Sequence, residues 1–343
     1  MSEQHLLKCA GNSSHKNYEA RTDHMEDRSK IKIIVAAHKA CKVPSDPMYF
    51  PLHVGAEGKT DAQGKPLDIG FAKDNTGENI SSLNPSFCEL TGLYWAWKNL
   101  DADYIGLVHY RRYFTGANVN NSDVVGSAIS YEELAPLLGS HEAFVPTKRR
   151  YYIETLESHY VHTHDAKHLK LCRDILQQKY PAYLSAFDKV LERRWGYMFN
   201  MMILKKDLLD DYCSWLFDVL FELYKKVDNT RMSAFEKRYC GRVSEILFNV
   251  WLEEKIQTRA LQQEGIKEMN FIEDVVWNQK IRGFLAAKFL RHRYGQSAAS
   301  RKPGGAVSSN LEFIPVYVTA EAVNCADNII SFTAFQAQRK AVA

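Results

Sequence analysis

The first sustained apolar run in the chain, IKIIVAAH at 31–38, is short, rich in β-branched residues and nearly unbroken. That pattern predicts a strand buried on both faces of a parallel sheet. A second strand is predicted near PLHVGA (51–56), followed by the turn-rich loop DIGFAKDNTGENISSLN (68–84). Asn84 and Pro85 predict a helix start, with Asn as N-cap and Pro at the first helical position, and Phe87, Leu90, Tyr94 and Trp97 then fall on one face. YIGLVH (104–109) is again suited to burial on two faces. Strand, loop, helix, strand is a βαβ rhythm, so the chain up to about residue 115 predicts a Rossmann-type half-sheet. Its ligand edge lies at the carboxyl ends of the strands.

Further on the period lengthens. YEELAPLLG (131–139), HLKLCRDILQQKY (168–180) and AYLSAFDKVLERR (182–194) carry helical spacing, with a strand predicted at EAFVPT (142–147). GYMFNMMILKK (196–206) reverts to a strand, and amphipathic helices are predicted near 207–226 and 242–256. In the second, Val243, Ile246, Leu247, Val250 and Trp251 make the apolar stripe, and Glu245 falls on the first turn. Residues 1–30 show no hydrophobic period and read as a disordered extension. The folded domain is expected over 31–294, and 295–343, rich in Gly, Ser and Ala, as a poorly ordered tail. The fold class predicted is α/β, a mixed sheet flanked by helices with a helical carboxyl-terminal half.

Composition narrows the class of protein. The 343 residues are 45% hydrophobic and 25% charged, enough for a substantial core. A net charge of +3 with basic residues spread along the chain gives no nucleic-acid footprint. The seven cysteines (Cys9, Cys41, Cys88, Cys172, Cys213, Cys240 and Cys325) never fall as Cys-x-x-Cys, which argues against a disulfide framework or a zinc knuckle. A reducing cytoplasm is the expected location. No run approaches the roughly 20 apolar residues that span a bilayer, so a soluble or peripheral protein is expected.

The chemistry turns on NLDADYIGLVHYRRYF (99–114). Asp101 and Asp103 spell Asp-x-Asp, a pair with which many sugar-nucleotide enzymes hold a divalent cation. Here they precede the strand, on the edge away from the ligand crevice, and are expected to close the turn after the preceding helix. The residues emerging at the ligand edge are His109, Tyr110, Arg111 and Arg112. Guanidinium groups fork onto phosphate oxygens directly and neutralise them without a metal. In a dry cleft such donors stabilise a leaving nucleoside diphosphate as the glycosidic bond breaks. The plainer reading gives Arg111 and Arg112 surface salt bridges.

Three long segments now become recognisable: 74–114, TKRRYYIETLESHYVHTHDAKHL at 147–169, and MFNMMILKK followed by GRVSEILFNVWLE within 198–253. Together, in order, they closely resemble the bacterial family called domain of unknown function 4422, found among capsule, exopolysaccharide and O-antigen biosynthesis proteins. The resemblance covers roughly residues 31–294. It implies a GT-A-like glycosyltransferase taking sugar from a UDP-sugar, with UDP-galactopyranose and UDP-galactofuranose as candidate donors. The implied acceptor is a growing polysaccharide or lipid-linked oligosaccharide. No cofactor is predicted beyond the UDP-sugar itself, and Mg or Mn is compatible with the site but not required by it.

Within that reading each candidate has a role and a plainer alternative. Ala36, Ala37, His38 and Lys39 end the first strand, where two small residues admit the nucleoside and His38 or Lys39 meets ribose or phosphate; an ordinary loop is the alternative. Asp74 and Asn79 are candidates for donor recognition, against an Asx-rich turn. Tyr94, Trp95 and Trp97 read as core. Asn200, in a Phe-Asn turn-to-strand element, would hydrogen-bond a sugar hydroxyl, against a polar group satisfied at a strand start. Glu245 is the candidate general base of an inverting transfer, against a carboxylate that merely suits the helix dipole; a retaining reaction would leave it to acceptor binding. His162 and His164 are assigned to phosphate or acceptor.

His159, His162, His164 and His168 also support a rival, since His164 and His168 have the spacing of a zinc-hydrolase helix with Asp165 shortening the carboxylate between them. Lys148, Arg149 and Arg150 nearby suit an anion better than Zn²⁺. The segment 277–293 is basic and apolar by turns; its Lys288 would snorkel or reach the diphosphate, and the helix would rest on anionic lipid at the inner membrane surface. A non-catalytic scaffold of polysaccharide assembly would keep the fold without needing the Arg and Glu constellation.

Overall fold

The computed structural model describes residues 30–274. The expectations for 1–29, for Lys288 and the helix at 277–293, and for the tail lie outside the described residues.

The strands are β1 (Ile31–Ala37), β2 (Tyr49–His53), β3 (Ala72–Lys73), β4 (Tyr104–His109), β5 (Arg112–Phe114), β6 (Ala143–Pro146), β7 (Arg149–Arg150), β8 (Trp195–Gly196), β9 (Met202–Lys205), β10 (Ile266–Met269) and β11 (Phe271–Glu273). Nine of them form one sheet in the order β10-β6-β9-β4-β1-β2-β3, with β5 on the end of β4 and β11 on β5. β1 pairs in parallel with both β2 and β4, Ala37 opposite His53 and Ala36 opposite His109, so three adjacent strands deliver their carboxyl ends to one edge. β9 and β5 run against the others. β1 and β4 are buried on both faces as the apolar runs predict.

The helices are α1 (Asn84–Phe87), α2 (Leu90–Asn99), α3 (Tyr131–Leu134), α4 (Leu156–Thr163), α5 (Lys167–Lys179), α6 (Leu184–Leu191), α7 (Lys206–Lys226) and α8 (Tyr239–Gln257). α2 packs on β1 and β4, and also on α7. There Tyr94 meets Phe217 edge-on at 4.9 Å and Trp97 stacks on it at 6.0 Å. Trp95 stacks on Phe50 at 5.6 Å. These aromatics are core, as their helical spacing implies.

Three local readings need correction. The helix expected to start at Asn84 is broken: Cys88 takes φ 53°, ψ −132° between α1 and α2, and the first cap position is Leu83. Asn84 turns inward instead, donating from Nδ2 to the Cys88 carbonyl at 2.8 Å and to Thr91 Oγ1 at 3.1 Å. The strand expected over 196–206 is split: Gly196 ends β8, and only Met202–Lys205 form β9, because Phe199 and Asn200 between them are left-handed (φ 75° and 51°). α8 begins earlier than predicted and is buried nearly all round rather than along one stripe. It lies between α6, α7 and α1, so its polar residues Ser244, Glu245 and Asn249 are enclosed as well. No helix among the described residues is long and apolar enough to cross a membrane.

Candidate active site

The carboxyl ends of β1, β2 and β4 open into a cavity of about 700 Å³. Among the described residues its walls include His38, His53 and His109 from the strand ends, Lys59 and Arg111 from the loops beyond them, Asn84, Cys88 and Glu89 from the α1–α2 break, and Lys237 and Arg238 from the turn before α8. Four basic side chains, Lys59, Arg111, Lys237 and Arg238, thus face one carboxylate, Glu89. Such an excess of positive charge in a concave, partly dry site favours an anionic ligand.

Tyr110 organises the β4 side of the wall. Its buried ring meets His38 edge-on at 5.3 Å and His109 at 4.6 Å. The Arg111 guanidinium lies 5.1 Å from the same ring and the Lys39 ammonium 5.6 Å, both as cation–π contacts. His38 and Arg111 therefore share an aromatic backing. Burial, together with the charges of Arg112 and Arg111, holds the His109 imidazole well below its usual range, so the ring is neutral at physiological pH. Burial also lowers His53, whose Nδ1 has no hydrogen-bond partner among the described residues.

The opposite wall is held by a chain of side-chain bonds rooted in α8. Asn249 grips the Tyr197 backbone from both sides, accepting from its N–H and donating to its carbonyl, each at 2.8 Å. That fixes the turn carrying Asn200, which donates from Nδ2 to the Gly241 carbonyl at 3.0 Å and to Glu89 Oε1 at 2.8 Å. Ser244 closes the arrangement by donating to Asn200 Oδ1 at 2.9 Å. The close approach needs a glycine: a Cβ on Gly241 would meet Cys88 Sγ at 3.0 Å. Arg238 Nε donates to that sulfur at 3.3 Å, although burial still pushes the thiol up.

Of the residues singled out from sequence, His38, His109 and Arg111 line this cavity. Ala36 does so too, whereas Ala37 and Lys39 do not. Arg112 turns the other way, donating from Nε and Nη2 to Glu273 Oε2 at 3.1 and 2.9 Å and stacking over Phe199 at 4.0 Å. It joins β5 to β11 instead of meeting phosphate. Asp74 is fully buried and its two oxygens are consumed by Gly55 N, Ala56 N, Ser81 Oγ and Thr91 Oγ1, so no acceptor capacity is left for a donor sugar. Asn79 makes a local turn, bonding Gly77 O and Ser81 N. Asn200 is wholly satisfied within the protein, and so positions Glu89 rather than a sugar hydroxyl.

Glu245 lies on the second turn of α8, buried behind the wall, with Arg242 Nη1 at 3.8 Å. Burial and the neighbouring Glu89 push its carboxyl up, against the opposing pull of Arg242, Arg149 and Arg112. His162 is exposed and paired with Glu154 Oε1 at 3.0 Å. His164 stacks on Phe235 at 5.4 Å, and burial lowers it to about 3. Neither lines the cavity. The zinc-hydrolase spacing dissolves: α4 ends at Thr163, His164 is extended (φ −134°, ψ 179°), and His168 belongs to α5, its Nδ1 hydrogen-bonded to the Tyr160 hydroxyl at 3.0 Å. Among the described residues no three His, Cys, Asp or Glu side chains group as a metal ion requires. Asp101 and Asp103 are exposed at the amino end of β4, where the Asp103 carbonyl accepts from Lys206 N at 2.8 Å.

Glu89, Lys237 and Arg238 escaped the sequence reading. For the basic pair a signal existed, the run EKRYCGR at 236–242 just ahead of an amphipathic period. For Glu89 there was none, because its direction depends on the break at Cys88.

Among solved structures the chain is similar to the apo structure of WbbM, a bifunctional glycosyltransferase, with 26% identity and a TM-score of 0.63. The match covers 72% of this chain and 46% of that one, so the likeness extends over less than half of WbbM. The shared architecture is a GT-A-like α/β fold. No curated protein matches the chain. The sequence profile described as Domain of unknown function (DUF4422) matches residues 32–256, well over half of the sequence, and the chain belongs to that family.

Proposed function

We propose that this protein is a glycosyltransferase that binds a UDP-sugar in the cavity at the carboxyl edge of β1, β2 and β4 and passes the sugar to a growing capsular, exopolysaccharide or O-antigen glycan. One observation carries the reading: among the described residues, Lys59, Arg111, Lys237 and Arg238 converge on one cavity against a single carboxylate. A nucleoside diphosphate is an anion of matching character, and the charge it gains on leaving is what such groups stabilise. Neutral His109 sits among these cations as a hydrogen-bonding group that adds no further repulsion. The likeness to a bifunctional glycosyltransferase supports the same reaction class. Galactopyranose and galactofuranose remain the candidate sugars, with a lipid-linked or polymeric acceptor at the cytoplasmic face of the membrane.

The test is a titration of the purified protein with UDP-, GDP- and CMP-sugars, with and without EDTA. UDP-sugar binding that weakens steeply with salt is expected, and the EDTA arm reads whether a divalent ion shares the load. Equal indifference to all three nucleotides would leave the scaffold reading in its place.

A further inference from the structure

Resting on that reading of the cavity as a sugar-donor site, we infer that Glu89 is the general base of an inverting transfer and that Asn200 is its positioning residue. Among the described residues Glu89 is the one carboxylate on the cavity wall. Its Oε1 accepts from Asn200 Nδ2 at 2.8 Å, and its other oxygen has no hydrogen bond among the described residues. Asn200 cannot swing away, since Gly241 and Ser244 of α8 hold its two polar ends.

Backbone strain marks the same spot from both sides. Five non-glycine residues among those described have positive φ, and three of them, Cys88, Phe199 and Asn200, flank the Glu89–Asn200 bond. Cys88 combines φ 53° with ψ −132°, a conformation unfavourable outside glycine that persists where surrounding structure imposes it. Its effect is to end α1 at Phe87 and restart the helix at Leu90 as α2, which leaves Glu89 at the junction, on the cavity wall. Glu245 does not compete for the role, because it is buried behind the wall and does not line the cavity where an acceptor hydroxyl would sit.

In the step assigned to Glu89, an acceptor hydroxyl oxygen bonds to the anomeric carbon while the bond from that carbon to the β-phosphate oxygen breaks. The bonding pair departs with UDP, and the hydroxyl proton passes to the free oxygen of Glu89. The anomeric centre inverts.

The experiment measures UDP affinity by calorimetry and UDP release from UDP-galactopyranose and UDP-galactofuranose with water as acceptor. Glu89→Gln preserves the acceptor oxygen for Asn200 and should keep UDP affinity within about threefold. Release should fall by roughly 100-fold or more, the scale of a lost general base. In Glu89→Ala, added formate should restore part of the release, which a structural carboxylate would not allow. Asn200→Ala should lower kcat with KM kept. Release by Glu89→Gln near the wild-type rate, or no rescue by formate, overturns the assignment and leaves the donor site standing. Wild-type protein that binds UDP yet releases none from either donor also counts against it, since a base on the cavity wall activates water that takes the acceptor's place. Wild-type protein that does not bind UDP overturns the donor site itself, and Glu89 with it.

Discussion

Replacing Asp74 by alanine separates a structural carboxylate from a donor-binding one. Gly55 N (2.8 Å), Ala56 N (3.0 Å), Ser81 Oγ (2.5 Å) and Thr91 Oγ1 (2.6 Å) all donate to it in a fully buried setting. In Asp74→Ala the Thr91 hydroxyl can turn to the Cys88 carbonyl, already 3.2 Å away. The two backbone N–H groups have no such recourse, and Gly55 is held in place by φ +67° and by Asn84, whose Cγ would lie 2.4 Å from any Cβ there. Each stranded donor costs about 1–3 kcal/mol, so the loss is about 4 kcal/mol in all. For a domain of this size that lowers Tm by about 8–16 °C. Asp74→Asn keeps one acceptor oxygen and should lose about half as much. The assay is urea unfolding alongside UDP calorimetry well below the melting transition, where affinity should stay within about threefold. An Asp74→Ala protein with stability within about 1 kcal/mol of wild type would refute the reasoning. So would a stable one whose UDP affinity drops by more than about tenfold, which would return Asp74 to donor recognition.

Further outcomes follow from the same geometry. Arg111→Ala should weaken UDP binding by about 10- to 100-fold, the worth of a charge-assisted bond to phosphate, whereas the double change Asp101→Asn, Asp103→Asn should leave calorimetric affinity within about twofold. Arg112→Ala should act on stability instead, by about 3 kcal/mol in urea, because the two guanidinium bonds to Glu273 Oε2 are lost in a site only 14% and 12% exposed at the two side chains. For pH, the unfolded His164 takes up a proton near 6.5 but the folded one resists down to about 3. The unfolded state therefore binds more protons across that window, and stability should fall as pH drops below about 6.5. Burial lowers His53, His109, His159 and His168 with the same sign. The urea midpoint should drop between pH 7.5 and 5.5, and His164→Gln should shrink that difference.

The parts of the fold set by local period were legible. β1 and β4 carry the unbroken apolar runs that two-sided burial demands, and α5 and α7 carry clear helical spacing. The same periods placed His38, His109 and Arg111 at the ligand edge and Asp101 and Asp103 at the other. What escaped was set by contacts distant in sequence. The Cys88 break is stabilised by Arg238 from 150 residues away, and no period announces it. Arg112 and Arg111 are adjacent and chemically alike, and only the pairing of β5 with β11 turns the first toward Glu273. Asp74 sits in a segment that spells an ordinary polar turn, yet it is the anchor of one. The histidine spacing misled because a motif written along one helix was split between α4 and α5.

In the proposed function, cationic side chains at the carboxyl edge of β4, rather than the carboxylates at its amino edge, grip the diphosphate. A crystal structure with UDP tests it most directly. Phosphate oxygens should lie within about 2.7–3.2 Å of donors on Arg111 and of Lys237 or Arg238, beside His109. A diphosphate found at Asp101 and Asp103, or anywhere outside this cavity, would contradict it.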